Sequence, residues 1–314
     1  MYKKSVIIII SLLIVFSLAG LAFRSSSKRP SQPEKIAIIY VEGVIVGGRG
    51  QSNMFTEQGG TDQVIKQLHE ARDDESVKAI VLRINSPGGS AAASQEVGEE
   101  IKKLRAKGKV VVTSMGDVAA SGGYWLAACT DKIYANSTTM TGSIGVYVPY
   151  ANWEELYKKV GIYQEKIKSG PHKDILSPER AMTGEERAII QVMVDDIYSQ
   201  FVSVVAEGRK MDVAEVRKLA DGRIYTGNQA RQLGLVDELG NMYDAIDGAA
   251  VLAGIDGKPE IKEYGKQSPW NMIFGASEQA SSLSLLEKVI VNQAKNILNI
   301  GAPMDGTTEK WQVR

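Results

Sequence analysis

Cysteine is nearly absent from this chain of 314 residues, in which Cys129 stands alone. A single cysteine excludes a disulfide within the chain and a metal cluster held by several thiolates. Its neighbours from Leu126 to Thr130 are small or apolar and resemble the buried side of a helix. We therefore interpret Cys129 as a core residue.

Histidine is almost as scarce, since His69 and His172 are the only two. They cannot form a zinc site without several carboxylates, and the spacing HExxH is absent. We expect neither a metal nor any other cofactor. His69 falls on the polar face of a predicted helix, where we expect it to be solvated.

An excess of either charge is also missing. The chain has 37 lysines and arginines against 37 aspartates and glutamates, and no basic run is longer than two residues. Nucleic-acid binding normally requires a basic patch. We therefore expect no nucleic-acid partner.

The first 34 residues contain a long run of mostly apolar residues. Lys3 and Lys4 precede 19 uncharged residues, Ser5–Phe23, which is enough to span a bilayer as a helix. A cleaved signal peptide usually has a shorter apolar region of about 7–15 residues. We predict an uncleaved transmembrane anchor over 1–23 and a flexible polar stalk over 24–34.

From Lys35 onwards, apolar runs alternate with segments of helical periodicity. This alternation predicts an α/β domain over 35–255 with a largely parallel sheet of repeated β-β-α or βαβ units. Three helices are predicted in this part of the chain. The first runs from Thr61, which caps it, to Arg72, the second ends at about Ala106, and the third covers Ala120–Ala128. The predicted strands are Ile36–Val41, Ala79–Ile84, Val110–Thr113, Lys132–Ala135 and Ile144–Val148.

The remainder of the chain is predicted to be helical. Thr183–Glu186 has the pattern of a capping box and opens a long helix, whose apolar residues up to Val205 identify it as a packing element. Shorter helices follow up to Leu252. Residues 256–314 form a C-terminal extension, in which Ser281–Ile300 suits an amphipathic helix before a polar tail.

Three segments combine glycines with polar groups. The first, Asn85–Ser90, ends a predicted strand and contains Gly88 and Gly89, whose backbone N–H groups suit an oxyanion or a phosphate. An ordinary turn between strand and helix explains the segment equally well.

The second segment, Gly116–Tyr124, places Ser121 where a strand meets a helix. Small neighbours allow a carbonyl group to approach the hydroxyl, and the Gly122 N–H suits an oxyanion hole. The alternative is a helix-capping serine. The segment lacks the Gly-x-Ser-x-Gly pattern of the α/β-hydrolase elbow.

The third segment, Lys168–Asp174, is a loop that contains Lys173. Together the three segments resemble the signal peptide peptidase A family of serine peptidases, within the Clp protease and crotonase superfamily. The resemblance covers about Lys35 to Leu252. Its most specific part is Gly-Asp-x-Ala-Ala-Ser-Gly-Gly-Tyr with a lysine 52 residues after the serine.

The resemblance assigns roles residue by residue. Ser121 matches the nucleophile, Lys173 the general base and Ser143 a serine that orients the lysine amine. Gly88 lies in the stretch that lines the oxyanion hole, and the role of Gly122 rests partly on geometry common to serine hydrolases. A free lysine has a pKa of about 10.4, and burial lowers such a value enough for an amine to accept a proton.

The resemblance also implies an assembly and a location. Related long chains carry two copies of the domain and divide the serine and the lysine between them, whereas this chain has one copy. We therefore expect a homo-oligomeric ring in which Ser121 of one subunit meets Lys173 of a neighbour. The expected substrates are apolar peptides such as cleaved signal peptides, and the expected place is the bacterial cell membrane, crossed once, with the catalytic domain outside the cytoplasm.

Three alternatives remain open from the sequence. One is a Ser121–His172–Asp174 triad, although adjacent side chains tend to point apart and triads are recognised by spatial geometry. The second is a crotonase-like acyl-CoA enzyme, which needs neither a Ser-Lys pair nor an anchor. The third is a non-catalytic membrane scaffold.

Overall fold

The computed structural model describes residues 33–53 and 56–265. Strands and helices alternate as predicted, which confirms a mixed α/β class. The strands are β1 Lys35–Glu42, β2 Gly50–Asn53, β3 Thr56–Gly59, β4 Val77–Ser86, β5 Val110–Ala120, β6 Lys132–Ala135, β7 Met140–Gly142, β8 Ile224–Thr226, β9 Glu238–Leu239 and β10 Glu260–Glu263. The helices are α1 Thr61–Asp73, α2 Ala91–Ala106, α3 Gly122–Ala128, α4 Glu154–Val160, α5 Gly184–Arg209, α6 Val213–Leu219, α7 Gly227–Gln232 and α8 Met242–Ala253.

The main sheet has the strand order β10-β1-β4-β5-β6-β9, and every neighbouring pair in this order is parallel. Strand β7 continues beside the end of β5, also parallel, and β8 pairs antiparallel with β7. The prediction of a largely parallel sheet is confirmed. Because all parallel strands end at one edge, the turns that follow β4 and β5 meet there.

Apolar layers cover both faces of the sheet, as parallel strands require. On one face, α1, α2, α3 and the carboxyl half of α5 pack over residues such as Leu82 and Met115. On the other face, α8 places Ala245 and Ala249 against Ile38. The central strands therefore carry apolar residues at nearly every position, which is why they appear as continuous apolar runs in the sequence.

Two strand predictions near the site are corrected. Strand β5 does not end at Thr113 but continues to Ala120, so that α3 begins at Gly122 rather than at Ala120. The predicted strand Ile144–Val148 is not formed, because these residues pair with no strand in the part of the chain that the structure describes. The short strand β7 lies just before them and pairs with the last residues of β5.

Two further predictions concern helix caps. Thr61 is not the cap of α1, because Gly60 occupies that position and the buried Thr61 hydroxyl has no hydrogen-bond partner. The capping box between Thr183 and Glu186 at the start of α5 is confirmed. The later helices α6, α7 and α8 also lie where they were predicted.

Helix α5 packs along only part of its length. Its carboxyl half is buried, and Phe201 stacks on Trp125 with ring centroids 4.9 Å apart. In the amino half, Val192 is 69% exposed and Met193 43%. Within one chain, the prediction of a packing element therefore holds only for the carboxyl half, because apolar side chains of the amino half are exposed. Within the described part of the chain, α5 is the one helix long and apolar enough to cross a membrane by length and composition.

Other predictions fall mainly outside the described residues. These are the anchor over 1–23, the stalk over 24–34 except its last two residues, and the amphipathic helix Ser281–Ile300 with its tail. Contacts between residues divide the chain at Tyr264, and the second unit begins at Gly265. Strand β10 extends the sheet beyond residue 255, because it pairs with β1.

Replacement of the aromatic side chain that joins α5 to the core tests this packing. We expect Phe201→Ala to lower the free energy of unfolding by about 3–5 kcal/mol, since it leaves a cavity beside Trp125. Val251→Ala on α8 is the control, because Val251 is 80% exposed. Its effect is expected to stay within about 0.5 kcal/mol in chemical denaturation. Equal effects of the two changes would contradict the packing of α5.

Candidate active site

Ser121 occupies the junction between β5 and α3 in an uncommon backbone conformation. Its φ of 52° and ψ of −121° lie in a region that non-glycine residues rarely adopt. The backbone is held there because Ser121 N–H donates to the Gly142 carbonyl at 2.8 Å, and the Ser121 carbonyl accepts from Trp125 N–H at 2.9 Å. Although Ser121 stands at the N-cap position, its side chain makes no capping hydrogen bond. The half-buried hydroxyl is therefore available for chemistry, and the interpretation as a capping serine is wrong.

Gly88 brings the turn after β4 directly against Ser121. A Cβ atom on Gly88 would lie 2.6 Å from the Gly122 nitrogen and 2.7 Å from the Ser121 Cβ. The φ of Gly88 is +99°, which also favours glycine. Any side chain here would push the two turns apart.

The N–H groups at this contact differ in their partners. Gly88 N–H donates to the Ser86 hydroxyl at 3.1 Å. In residues 33–53 and 56–265, by contrast, the N–H groups of Gly89 and Gly122 form no hydrogen bond. A Cβ on Gly122 would lie 3.3 Å from the Gly89 nitrogen, so these two groups are close together. The sequence analysis noted the N–H groups of both Gly88 and Gly89, but it assigned the oxyanion hole to Gly88, whereas the unpaired N–H group favours Gly89.

Ser143 lies beside Ser121 at the ends of neighbouring strands. The register of β5 and β7 pairs Ala120 with Gly142, so the residue that follows each is a serine. Ser143 also has a positive φ, 51°, and its N–H donates to the Arg223 carbonyl at 2.8 Å. The structure therefore brings together the predicted site residues Ser121, Ser143, Gly88 and Gly122.

Lys173 is the predicted site residue that does not join them. It lies in a loop of successive turns, and its own N–H donates to the Gly170 carbonyl at 3.3 Å. Its side chain is exposed. The structure describes both Lys173 and Ser121. Among the described residues, neither the Lys173 amine nor the Ser121 hydroxyl has a hydrogen-bond or ion-pair partner. Within one chain the two groups are therefore not in hydrogen-bond contact.

The Ser121–His172–Asp174 triad is not assembled either. The His172 ring lies 3.5 Å from a Glu185 oxygen, and the Asp174 carboxylate is bound by Arg180 and Lys168. His69, which we expected to be solvated, is half-exposed instead, with its Nε2 2.7 Å from the carboxylate of Glu100.

Charge is concentrated next to Lys173. Arg180 lies between the carboxylates of Asp174 and Glu186 and donates hydrogen bonds to both. These hydrogen bonds hold the pKa of Asp174 well below its usual range, with Lys168 as the next contributor. They lower the pKa of Glu186 to about 2 and raise the pKa of Arg180. Both carboxylates are therefore charged at neutral pH.

Groups that would bind a metal are not assembled in the part of the chain that the structure describes. No cluster of three or more His, Cys, Asp or Glu side chains there is arranged to hold an ion. Cys129 is buried, as expected, and burial raises the pKa of its thiol to about 12. It is therefore a core residue rather than a reactive thiolate.

A cleft of about 310 Å³ lies beside the segment that follows Ser143, and Val146 is its first lining residue along the chain. One wall is the segment from Val146 to Tyr150, and the other is the amino half of α5. Leu176, which follows Lys173 by three residues, also lines it. Most of the lining residues are apolar, although polar atoms provide more than half of the surface that faces the cleft.

Comparison with known proteins shows that the chain matches the profiles of two protein families. The profile of Peptidase family S49 matches residues 103–256, and the Clp protease profile matches residues 52–147. The first match includes Ser121, Ser143 and Lys173, and the second includes Gly88.

Individual relatives cover most of the chain. A protein of Synechocystis sp., provisionally named protease slr0021, is 46% identical over 228 residues, which are 73% of this chain and 78% of the relative. A provisionally named signal peptide peptidase SppA of Enterococcus faecium is 43% identical over 68% of this chain and 62% of its own length. Protease 4 of Haemophilus influenzae is 35% identical over 87% of this chain, which spans only 43% of that longer protein.

The pH dependence of stability tests the ion pairs around Arg180. Since the pKa of Glu186 falls from an ordinary value of 4.5 to about 2 on folding, its charge stabilises the fold fully above pH 4.5. This contribution is lost as the pH falls towards 2. We expect Glu186→Gln to lower the melting temperature at pH 7, and the difference from wild type to shrink between about pH 5 and about pH 2. Glu185→Gln is the control, because that side chain is 77% exposed. A difference that stays constant with pH would contradict the assignment.

Proposed function

The chain belongs to peptidase family S49, and from this membership we propose that it is a serine peptidase in which Ser121 is the nucleophile and Lys173 the general base. The observation that carries the proposal is Ser121, whose hydroxyl makes no capping hydrogen bond and whose turn contains or contacts two N–H groups, those of Gly122 and Gly89, without a partner among the described residues. Membership of a peptidase family also argues against the acyl-CoA enzyme and the non-catalytic scaffold.

The proposed reaction needs only these groups and water. The neutral Lys173 amine takes the proton of the Ser121 hydroxyl as its oxygen attacks the peptide carbonyl carbon. The tetrahedral intermediate then breaks its C–N bond, and the Lys173 ammonium gives the proton to the departing amine. Water next attacks the resulting ester, again with Lys173 as base, which releases the acid and restores the Ser121 hydroxyl.

Backbone N–H groups stabilise the negative oxygen of the intermediate. We assign this role to Gly122 and Gly89, because neither N–H has another partner in the described residues. Gly88, whose N–H is already bonded to Ser86, contributes through its missing side chain. Removal of one such donor typically costs about 10²–10³ in kcat.

Ser143 is assigned the orientation of the lysine amine. Its position beside Ser121 supports this role, because a hydroxyl there lies next to the oxygen that the amine must reach. Its positive φ sets the direction of its Cα–Cβ bond. A lysine has several rotatable bonds, so a hydrogen-bond partner is needed to hold its amine in place.

The active site is proposed to form between neighbouring subunits of a ring. Two observations support this proposal. Ser121 and Lys173 are not in contact within one chain. In addition, many apolar side chains of the segments around Lys173 are exposed to solvent. We define the exposed apolar face as the large apolar residues of α4, the segment after it and the amino half of α5. They are Trp153, Leu156, Val160, Ile162, Tyr163, Ile167, Ile189, Val192 and Met193. A second copy of the chain is the proposed occupant, since exposed apolar surfaces commonly mark subunit contacts.

Apolar peptides, such as cleaved signal peptides, are the proposed substrates. The cleft between Val146–Tyr150 and α5 supports this choice, because most of its lining residues, such as Val148, Ile190 and Val194, are apolar. The uncharged run Ser5–Phe23 supports an anchor that crosses the bacterial membrane once. Such an anchor, with the catalytic domain on the extracytoplasmic side, would place the enzyme where these peptides remain after secretion.

Mixed assemblies test the shared site. We expect Ser121→Ala and Lys173→Ala each to lower kcat/KM on an apolar fluorogenic peptide by at least about 10³-fold, because each removes one member of the dyad. When the two variants are assembled together, activity is expected to return, since some interfaces then carry both intact residues. Lys258→Ala, which changes another exposed lysine, is the control and is expected to retain full activity. Mixed assemblies that form but do not cleave would contradict a site shared between subunits.

A second test concerns the contact at Gly88. We expect Gly88→Ala to lower kcat by at least about 10²-fold, because its Cβ would displace the Gly122 N–H from the oxyanion. Gly47→Ala is the matched control, since a Cβ there meets nothing within 4 Å. A Gly88→Ala protein with wild-type kcat would show that the two turns need not touch during catalysis.

A further inference from the structure

Arg180 connects the loop that carries Lys173 to helix α5, beside a 3.5 Å contact between His172 of the same loop and Glu185. Arg180 donates to Asp174, the residue next to Lys173, from Nε at 3.0 Å and from Nη2 at 2.7 Å. The same guanidinium donates to Glu186 from Nη1 at 2.8 Å and from Nη2 at 2.5 Å. Two carboxylates from different elements are thus joined through one planar group. We call Asp174, Arg180 and Glu186 the arginine clamp.

The fixed end of the clamp is Glu186. Its side chain is 2% exposed and lies in the first turn of α5. There it also accepts a hydrogen bond from Thr183 N–H at 2.9 Å, while its own N–H donates to the Thr183 hydroxyl at 3.1 Å. Because this capping box fixes Glu186 to the helix, the clamp ties Asp174 to a rigid element.

The other end of the clamp is the loop that carries Asp174, which has few backbone hydrogen bonds of its own. Three single-turn hydrogen bonds shape it, and the one from Lys173 N–H is long at 3.3 Å. Leu176 adopts a φ of +68°, a conformation that persists only when the surroundings impose it. The Lys173 side chain has no partner of its own among the described residues, so the position of its Cα depends on the loop.

We propose that Arg180 is the positioning residue of Lys173, an inference that rests on the proposed role of Lys173 as general base. By holding Asp174 against the first turn of α5, Arg180 fixes the place from which the lysine amine reaches a neighbouring Ser121. Arg180 itself does not touch the substrate.

Burial makes this clamp more than a surface ion pair. Exposed pairs usually contribute about 0–1 kcal/mol. Here the Asp174 side chain is only 10% exposed and that of Glu186 2%. Without the guanidinium, two carboxylates would repel each other in a poorly solvated place. Lys168 could not bridge them, because its amine donates to Asp174 and to the Pro171 carbonyl but not to Glu186. The loop would then move away from α5.

The size of the expected effect follows from the geometry of proton transfer. A displacement of about 1 Å in a catalytic group can cost about 10²-fold in rate. Lysine keeps the charge of arginine but cannot form the planar, double fork that joins two carboxylates. We therefore expect Arg180→Lys to lower kcat about 10–100-fold with KM changed less than about threefold. Arg231→Lys, at an exposed arginine of α7, is the control and is expected to behave as wild type.

A double variant separates positioning from a general structural role. The measurement is the rate at which a fluorophosphonate probe labels Ser121 in the full-length, assembled protein. Arg180→Lys is expected to slow labelling in wild type about 10–100-fold. In a Lys173→Ala background it is expected to have no further effect, because the group that it positions is gone. Asp174→Asn, which weakens the other end of the clamp, should behave in the same way and replaces Arg180→Lys if that variant does not assemble.

Each contrary result points to a different failure. Slowing by the same factor in both backgrounds would show that Arg180 does not act through Lys173, and would overturn the inference. Wild-type kcat in both Arg180→Lys and Asp174→Asn, beside an inactive Lys173→Ala, would overturn the clamp and leave the Ser-Lys peptidase intact. An active Lys173→Ala protein would overturn the proposed function, and the clamp with it.

Discussion

The close contact between two glycine-rich turns is the constraint on which the rest of the site depends. A parallel sheet brings the ends of β4 and β5 to one edge, but only a residue without a side chain at Gly88 allows the turns to touch. That contact aligns the Gly122 N–H with Gly89 and fixes the backbone of Ser121. The apolar layers on both faces of the sheet hold the strands in this register, so the core and the chemistry are parts of one arrangement.

The candidate site consists of two groups of residues that are held in place by different interactions. Ser121, Ser143 and the glycines follow directly from strand ends, where hydrogen bonds between neighbouring strands set their positions. Lys173 lies instead on a loop, and its place depends on ionic contacts with the first turn of α5. In the proposed ring, the base would be delivered to Ser121 only by a correctly assembled neighbouring subunit.

The sequence could predict much of this, for identifiable reasons. Strands buried on both faces appear as unbroken apolar runs, and helical spacing marks α2 and α8. Ser121 was assigned as nucleophile from the resemblance of its segment to a peptidase motif, since its small neighbours alone left a helix-capping serine as the alternative. The choice between Gly88 and Gly89 was not accessible, because it depends on the hydrogen bond from Gly88 N–H to Ser86. The exposure of the amino half of α5 could not be predicted for another reason. Helical periodicity identifies the apolar face of a helix, but it does not show which residues cover that face.

The separation between the Ser121 Oγ and the Lys173 Nζ in an experimentally determined structure of the assembled protein tests the central claim most directly. The account predicts that these atoms lie within hydrogen-bond reach, about 2.6–3.2 Å, across an interface between two chains. It also predicts that the pair within each chain is far apart. A Ser121 that contacts the lysine of its own chain, or a histidine instead, would contradict it.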